Sequence, residues 1–123
     1  MRKQLWPEFR ALILQRDGGC LMANDLFGAC GGVLQGSHIN PQGAWPLLAL
    51  YPLNVKILCR HHHKHIWPNR HDEMVAWMER RLGRAWMERL HQERLNHLAR
   101  KGMTAEQLRA EWKSYGLGDA QRA

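Results

Sequence analysis

The central part of the sequence lacks acidic residues. No Asp or Glu occurs within residues 26–71, a stretch of 46 residues that holds six of the eight histidines. The whole chain carries a formal net charge of +7. A basic, acid-free segment approaches phosphate without like-charge repulsion, which favours a polyanionic partner such as DNA; membranes and acidic proteins are the alternatives that a basic chain leaves open. The predicted phosphate contacts are the cations of this stretch, for each of which a merely solvated position is the alternative: Lys56, Arg60, Lys64 and Arg70.

Long apolar runs are also missing. The longest, at residues 44–53, is interrupted by Pro46 and Pro52 and is shorter than the roughly 18 residues that a membrane span needs. The N-terminal residues, MRKQLWPEFR, contain no apolar core of a secretory signal. We therefore expect no membrane partner and a location in a reducing cytoplasm.

Cysteine is scarce, with three in the chain. In a reducing compartment such thiols are metal ligands or buried side chains rather than disulfides. Cys59 and His62 have a C-x2-H spacing that converges from one turn, and Cys20 and Cys30 form a wider pair. Three thiolates and one imidazole make the closed tetrahedral set of structural zinc, whereas the alternative is free thiols packed as small hydrophobes. Zinc is favoured because this Gly-rich segment has few large apolar side chains to stabilise it.

Apolar periodicity and Gly/Pro punctuation predict an α+β fold. The predicted elements are a helix from Trp6-Pro7-Glu8 to Asp17, strands at 33–39 and 55–58, a helical turn at 60–66, and helices at about 70–82, 84–101 and after Thr104. Thr104 and Gln107 have the spacing of a capping box. We predict a single domain over residues 1–123, with a metal-rich core at 9–67 and a helical extension at 70–116.

Three segments of the sequence form an ordered set: LQRDGGC at 14–20, SHINP at 37–41 and NVKILCRHHH at 54–63. Together they resemble the signature of the HNH endonuclease family, whose common pattern is RDG..C, DHI.P and N...LC..CH. The resemblance covers about 9–67. It implies a ββα-metal (His-Me finger) core with structural zinc, in which a β-hairpin bears His38 and a helix bears His63, followed here by additional C-terminal helices.

A narrower resemblance concerns the chain after this core. Trp67-Pro68 and a helix with Trp77 and Leu82-Gly83 are similar to phage-encoded HNH proteins of the recombination (NinG/Rap-like) group. This resemblance implies a role in DNA recombination and, for a phage protein, a location in the host cytoplasm.

The HNH resemblance also implies roles for individual residues. His38 would be the general base, Asn54 would hold the loop and orient His38, and His63 would bind the catalytic divalent ion. A neutral imidazole accepts a water proton at neutral pH, and one metal ion stabilises the leaving 3′-oxygen. Taken singly, His38 could instead be a surface histidine, Asn54 a turn residue and His63 an accident of a His-rich run.

Ser37 departs from the family pattern. Many members have Asp there as a metal ligand, and no carboxylate lies nearby in the sequence to replace it. The ion would rest on His63, one further group, water and substrate phosphate, with His65 as an alternative source of that group. Imidazole ligation without carboxylate favours Mn²⁺, Ni²⁺ or Zn²⁺ over Mg²⁺. We therefore expect weak metal binding without DNA and better activity with Mn²⁺ than with Mg²⁺.

These features predict a metal-dependent endonuclease that hydrolyses DNA phosphodiesters. A zinc-stabilised nucleic-acid-binding module with weak or no catalysis is the alternative, which the missing carboxylate at Ser37 favours. A protein-interaction adaptor built on the C-terminal helices has only their amphipathicity in support. A homodimer paired through these helices would suit cleavage of both strands.

Overall fold

A computed structural model describes residues 3–23 and 27–118 and has the predicted α+β composition. Helices surround one two-stranded antiparallel sheet. None of the helices in the described ranges combines the length and the apolar character of a transmembrane segment. The main elements are α1 Trp6–Asp17, β1 Leu34–His38, β2 Val55–Cys59, α2 His71–Leu82, α3 Arg84–Leu95 and α4 Ala105–Ser114. Short 3₁₀ turns lie at Pro46–Leu48, Pro52–Asn54 and His97–Arg100, and a π-helical turn lies at His62–Ile66.

Helix α1 has the predicted start and end. A proline occupies its first turn, where a backbone N–H has no intrahelical partner. Gly18 ends the helix in the left-handed conformation, with φ of +75°, and its N–H bonds to the carbonyl of Leu14. Phe9 and Ile13 are fully buried one helical turn apart, so α1 presents one apolar face to the sheet.

The end of α1 is fixed to β2 by the charged pair Arg16 and Asp17. Asp17 Oδ2 accepts a hydrogen bond from the backbone N–H of Ile57 at 3.0 Å. Arg16 donates to the carbonyls of Pro52 and Val55 at 2.7 and 2.6 Å. Arg16 and Asp17, which belong to the RDG segment at 16–18, therefore connect the end of α1 to β2.

The sheet pairs β1 and β2 from Leu34↔Cys59 at one end to His38↔Val55 at the other. Residues 39–54 join the strands and contain the first two 3₁₀ turns. Each face of the sheet lies against a separate apolar cluster. One includes Phe9, Ile13, Val55, Ile57 and Trp112, and the other includes Leu48, Tyr51, Leu58, Met74 and Met78. Both clusters contain residues from before and after residue 70.

The C-terminal helices differ from the prediction in one place. Helix α3 was predicted to reach residue 101 but ends at Leu95. Leu95 and Leu98, predicted to face the core, are 64% and 70% exposed, while Arg100 is buried. The guanidinium of Arg100 binds Glu111 through two hydrogen bonds of 2.7 and 2.8 Å. The apolar periodicity of residues 84–101 predicts that Leu95 and Leu98 face the core. Instead, the buried position is taken by Arg100, whose charge is paired with Glu111 as a buried charge requires.

The predicted capping box of α4 is confirmed. Thr104 Oγ1 accepts from the N–H of Gln107 at 3.1 Å, and Gln107 Oε1 accepts from the N–H of Thr104 at 2.8 Å. These reciprocal bonds satisfy two of the N–H groups that a helix start leaves without partners.

Candidate metal centre and active site

Four predicted zinc ligands come together at one end of the sheet. Cys20 follows α1, Cys30 precedes β1, Cys59 is the last residue of β2, and His62 begins the π-helical turn. Their ligand atoms all lie within 4.8 Å of one another. The sequence set therefore forms a cluster that can hold a structural metal ion.

The spacing of this Cys3His cluster fits zinc. A tetrahedral ion with Zn–S of about 2.3 Å and Zn–N of about 2.05 Å separates sulfur from nitrogen by about 3.6 Å. His62 Nδ1 lies 3.4, 3.7 and 3.2 Å from the Sγ atoms of Cys20, Cys30 and Cys59. Burial and the adjoining Cys20 and Cys59 raise the pKa of the Cys30 thiol to about 12. Three thiols this close cannot all ionise without a cation among them.

Backbone groups around the cluster prepare two of its ligands. His62 Nε2 lies 3.1 Å from the carbonyl of Gly28. Because a carbonyl only accepts, Nε2 carries the proton and Nδ1 keeps its lone pair toward the sulfurs. The N–H groups of Gly31 and His62 lie 3.4 and 3.5 Å from Cys59 Sγ. Although burial opposes it, these N–H donors lower the pKa of Cys59 and favour its thiolate.

His38 is the last residue of β1, and a hydrogen bond holds one nitrogen of its ring. Its Nε2 lies 3.1 Å from the carbonyl oxygen of Ala49, so Nε2 is the protonated nitrogen and Nδ1 is the basic one. Burial lowers the pKa of His38 below 6.5, against the opposing effect of the Ala49 hydrogen bond. The imidazole is therefore neutral at neutral pH and has the tautomer that a general base needs.

Trp6 covers His38, and Gly36 makes room for it. The Trp6 and His38 rings stack with centroids 5.2 Å apart and planes at 27°. A Cβ on Gly36 would lie 2.9 Å from Trp6 Cη2, closer than real contacts allow. The glycine lets the indole lie across β1 and shield His38 from water. Sequence reasoning missed both residues, since only the packing of α1 on the sheet brings them together.

Asn54 is fully buried and joins the two ends of the loop between the strands. Its Oδ1 accepts from the backbone N–H and the side-chain amide of Asn40, at 2.8 and 2.9 Å. Its Nδ2 donates to the carbonyls of Asn40 and Leu48 at 3.2 Å each. Leu48 adjoins Ala49, whose carbonyl holds His38. This network fits the predicted role of holding the loop and orienting His38.

His63 is fixed by a residue that the sequence did not suggest. Its Nδ1 lies 2.8 Å from Gln35 Oε1. An amide oxygen only accepts, so Nδ1 carries the proton and Nε2 keeps the lone pair that a metal ligand uses. Gln35 comes from β1 and His63 from the π-helical turn, so no local spacing could have indicated the pair.

The two candidate catalytic imidazoles share no hydrogen bond. Burial lowers the pKa of His63, and so do Lys64 and the charge of His38. Side-chain alternation along β1 puts His38 on the side of Gly36 and Trp6, and Gln35 on the other side. The outer edge of β1 has no partner strand in the described residues.

Among residues 3–23 and 27–118, no group of three or more possible metal ligands includes His63. Ser37 is 3% exposed and pairs in register with Lys56. Asp17, which reaches the sheet, is occupied by Arg16, by Lys56 and by the backbone of Ile57. Within residues 3–23 and 27–118, the Cys3His cluster is the one group of three or more His, Cys, Asp or Glu side chains able to hold an ion. A second ion would need ligands from the substrate.

The four predicted phosphate contacts have different surroundings. Lys56 is 8% exposed, and its ammonium binds Asp17 at 2.9 Å, which leaves it a structural role and removes it from the set. Arg70 pairs with Glu73 and lies over the Phe27 ring. The remaining two, Arg60 and Lys64, are exposed.

Comparison with known proteins gives no counterpart. No family model, curated protein or solved structure matches the chain. The chemistry of the site therefore has to be inferred from its own residues. The structure joins the zinc ligands in one cluster, and it leaves His38, Asn54 and His63 each held by separate partners.

Proposed function

We propose that this protein is a metal-dependent endonuclease of the HNH type that hydrolyses DNA phosphodiester bonds. The observation that carries the proposal is the pair of fixed imidazole tautomers. Ala49 and Gln35 take the protons of His38 Nε2 and His63 Nδ1. Nδ1 of His38 and Nε2 of His63 are then lone pairs, one suited to a base and the other to a metal ligand.

The local architecture supports a ββα-metal core. An antiparallel strand pair is followed directly by the helical turn that bears His63. The Cys3His cluster joins the end of β2 to that turn and to the loop before β1. Zinc bound there, in a site that its donors fit, would fix the turn against the sheet.

In the proposed reaction His38 Nδ1 accepts a proton from the attacking water. The water oxygen forms a bond to phosphorus, and the bond from phosphorus to the 3′-oxygen breaks. The leaving 3′-oxygen takes a proton from a solvent water, so the products are a 5′-phosphate and a 3′-hydroxyl. His63, together with the substrate phosphate, would hold a divalent ion whose charge stabilises the leaving oxygen. Asn54 positions His38 through the loop and does not touch the reacting atoms.

The charge around the site supports a nucleic acid substrate. Arg60 and Lys64 are exposed beside His63, in the stretch without acids. With Ser37 in place of a carboxylate, transition-metal ions, which bind an imidazole nitrogen more readily than Mg²⁺ does, gain over Mg²⁺, so cleavage is expected to be faster with Mn²⁺.

A plasmid-nicking assay tests the proposal. His38→Ala is expected to lower the cleavage rate by about 10²–10⁴-fold, the usual contribution of a general base. Lys113→Ala removes an exposed cation of α4, a helix that carries none of the proposed site residues, and is expected to retain the rate. Both proteins should bind one zinc, which shows that the cluster is intact. Equal cleavage by wild type and His38→Ala would contradict the proposal.

One observation favours a second function, a zinc-stabilised nucleic-acid-binding module without catalysis. This observation is that position 37 is a serine rather than a carboxylate and that Asp17 is already paired with Arg16 and Lys56. Wild-type protein that binds DNA and cleaves none with Mn²⁺, Mg²⁺ or Ni²⁺ would establish this alternative.

A further inference from the structure

A wide cleft between α2 and α3 opens directly beside the loop that follows His38. One wall contains Ile39, Asn40 and Pro41, the residues immediately after β1. The other walls come from the facing sides of α2 and α3, on either side of the bend at Gly83. The cleft thus continues from the end of the strand that carries the proposed base.

The cleft is rich in arginine. In the sequence, the arginines of α2 and α3 are interspersed with Glu79 and Glu88, and this mixture of charges predicts an ordinary exposed helix surface. In the folded protein, arginines from both helices line the same cleft. The wall formed by residues 39–41 contributes no acidic side chain. The cations that line the cleft are Arg80, Arg84, Arg89 and Arg94, with His71 and His91 beside them.

Arg94 links the cleft to the proposed active site. Its guanidinium donates to Asn40 Oδ1 at 3.2 Å and lies 5.6 Å from the centre of the Trp45 ring. Asn40 in turn donates to Asn54 Oδ1 at 2.9 Å. A cation on the cleft wall is therefore held by the same hydrogen-bond network that positions the loop behind His38.

We propose that this cleft binds the phosphate backbone of the DNA that flanks the bond to be cut. The proposal rests on the proposed function, because it assigns the cleft to the same substrate. Guanidinium groups bind phosphate oxygens through two parallel hydrogen bonds and do so without reading base sequence. Glu79 and Glu88 lie at the same cleft, and Glu88 accepts a hydrogen bond from Arg84 at 3.0 Å. The four arginines outnumber these two acids, so the cleft keeps a positive charge.

The salt dependence of DNA binding tests the cleft apart from catalysis. The double variant Arg80→Gln/Arg84→Gln changes two exposed arginines, one on each helix. Binding of a fluorescein-labelled duplex is measured by anisotropy between 50 and 200 mM salt with no added divalent ion. Each lost phosphate contact is expected to reduce the slope of log K against log salt by about 0.9, so the double variant should lose about 1.8. Its affinity at low salt should fall by at least about tenfold.

A matched control removes the same charge elsewhere. Arg109→Gln/Lys113→Gln alters two exposed cations of α4, where Arg109 pairs with Glu8 of α1 rather than with the cleft. This control should keep the wild-type slope. Equal slopes for all three proteins, or a wild type that binds no duplex, would overturn the cleft proposal.

The outcome is separable from that of the nuclease proposal. A reduced slope in the cleft variant, with no cleavage by wild type, would retain the cleft and reject the nuclease. Cleavage that depends on His38, with an unchanged slope in the cleft variant, would retain the nuclease and reject the cleft. A slope change seen with an RNA duplex and not with DNA would overturn the DNA assignment.

Discussion

The Cys3His cluster and the His38–Asn54–His63 set are built in opposite ways. In the cluster four donor atoms from distant parts of the chain converge within 4.8 Å. In the catalytic set each polar side chain is held by a different partner, and no two of the three share a hydrogen bond. The cluster takes all four donors from the described residues, whereas His38 and His63 each have one ring nitrogen that the hydrogen bonds to Ala49 and Gln35 do not use.

This difference is what a structural site and a reactive site require. A closed tetrahedral site satisfies its ion with protein ligands and stabilises the fold. A hydrolytic site needs lone pairs of the correct tautomer, held in position and left free for water, metal and substrate. Three measurements examine whether the two sites are separate in this way.

Loss of a cluster ligand should have the largest effect. His62→Ala leaves three thiols without the fourth donor, so the bound zinc should be lost and the thermal midpoint should fall by about 10 °C or more. Metal analysis and thermal unfolding followed by circular dichroism measure these changes. His65→Ala, a histidine three residues further along the same turn, should retain both zinc and midpoint. An unchanged midpoint in His62→Ala would show that the cluster does not stabilise the fold.

Replacement of Gln35 should affect the second site and spare the cluster. Gln35→Leu removes the acceptor that fixes the His63 tautomer, and Mn²⁺ affinity should fall by about 10–100-fold, as is usual when the partner of a metal-binding histidine is lost. The affinity is measured by Mn²⁺ titration of the His38→Ala protein bound to a DNA duplex, so that no cleavage interferes.

Two variants control this measurement. Gln35→Glu keeps an acceptor oxygen for His63 Nδ1 and should restore Mn²⁺ affinity. Gln42→Leu changes a glutamine of the loop outside the site and should leave the Mn²⁺ affinity unchanged. Zinc content should be equal in all of these proteins. Wild-type Mn²⁺ affinity in Gln35→Leu would show that the hydrogen bond to His63 has no part in metal binding.

Removal of Trp6 should have the smallest effect, a shift in pH dependence. Burial lowers the pKa of His38 below 6.5, so the neutral base persists to lower pH and the acid limb of the cleavage rate should lie below 6.5. Trp6→Ala admits water to His38, which weakens the desolvation that disfavours the charged imidazole. Its pKa and the acid limb should therefore rise toward 6.5.

A second tryptophan variant distinguishes this shift from general destabilisation. Trp45 contacts His97 and Arg94 and has no ring contact with His38. Trp45→Ala should leave the midpoint of the acid limb unchanged, whatever its effect on stability. A shift of the Trp6→Ala limb to lower pH would contradict the assignment of His38 as a base shielded by the indole.

Several features of the fold were predictable because they depend on neighbours in sequence. Pro7 and Gly18 mark the ends of α1, and Thr104 with Gln107 starts α4, since caps are local interactions. The members of the Cys3His cluster were predictable because three thiols and one imidazole at these spacings match the ligand set of structural zinc. The strands were predictable to within a residue or two from short apolar segments between turns.

Other features depend on contacts between distant segments. The sequence predicts that Lys56 is a surface cation, but Lys56 is buried and forms an ion pair with Asp17 of α1. Arg100 interrupts an apolar stripe because two glutamates from other helices surround it. No spacing rule connects Gln35 with His63, 28 residues away.

The sequence by itself therefore determined the kinds of chemistry present: thiol and imidazole metal ligands, a basic region without acids, and helices with defined ends. Only the tertiary structure decided which imidazole nitrogen carries its proton, which cations remain free and where arginines of two helices meet. The physical reason is that composition and local spacing fix which groups are available, while hydrogen bonding and burial act between segments that only folding brings into contact.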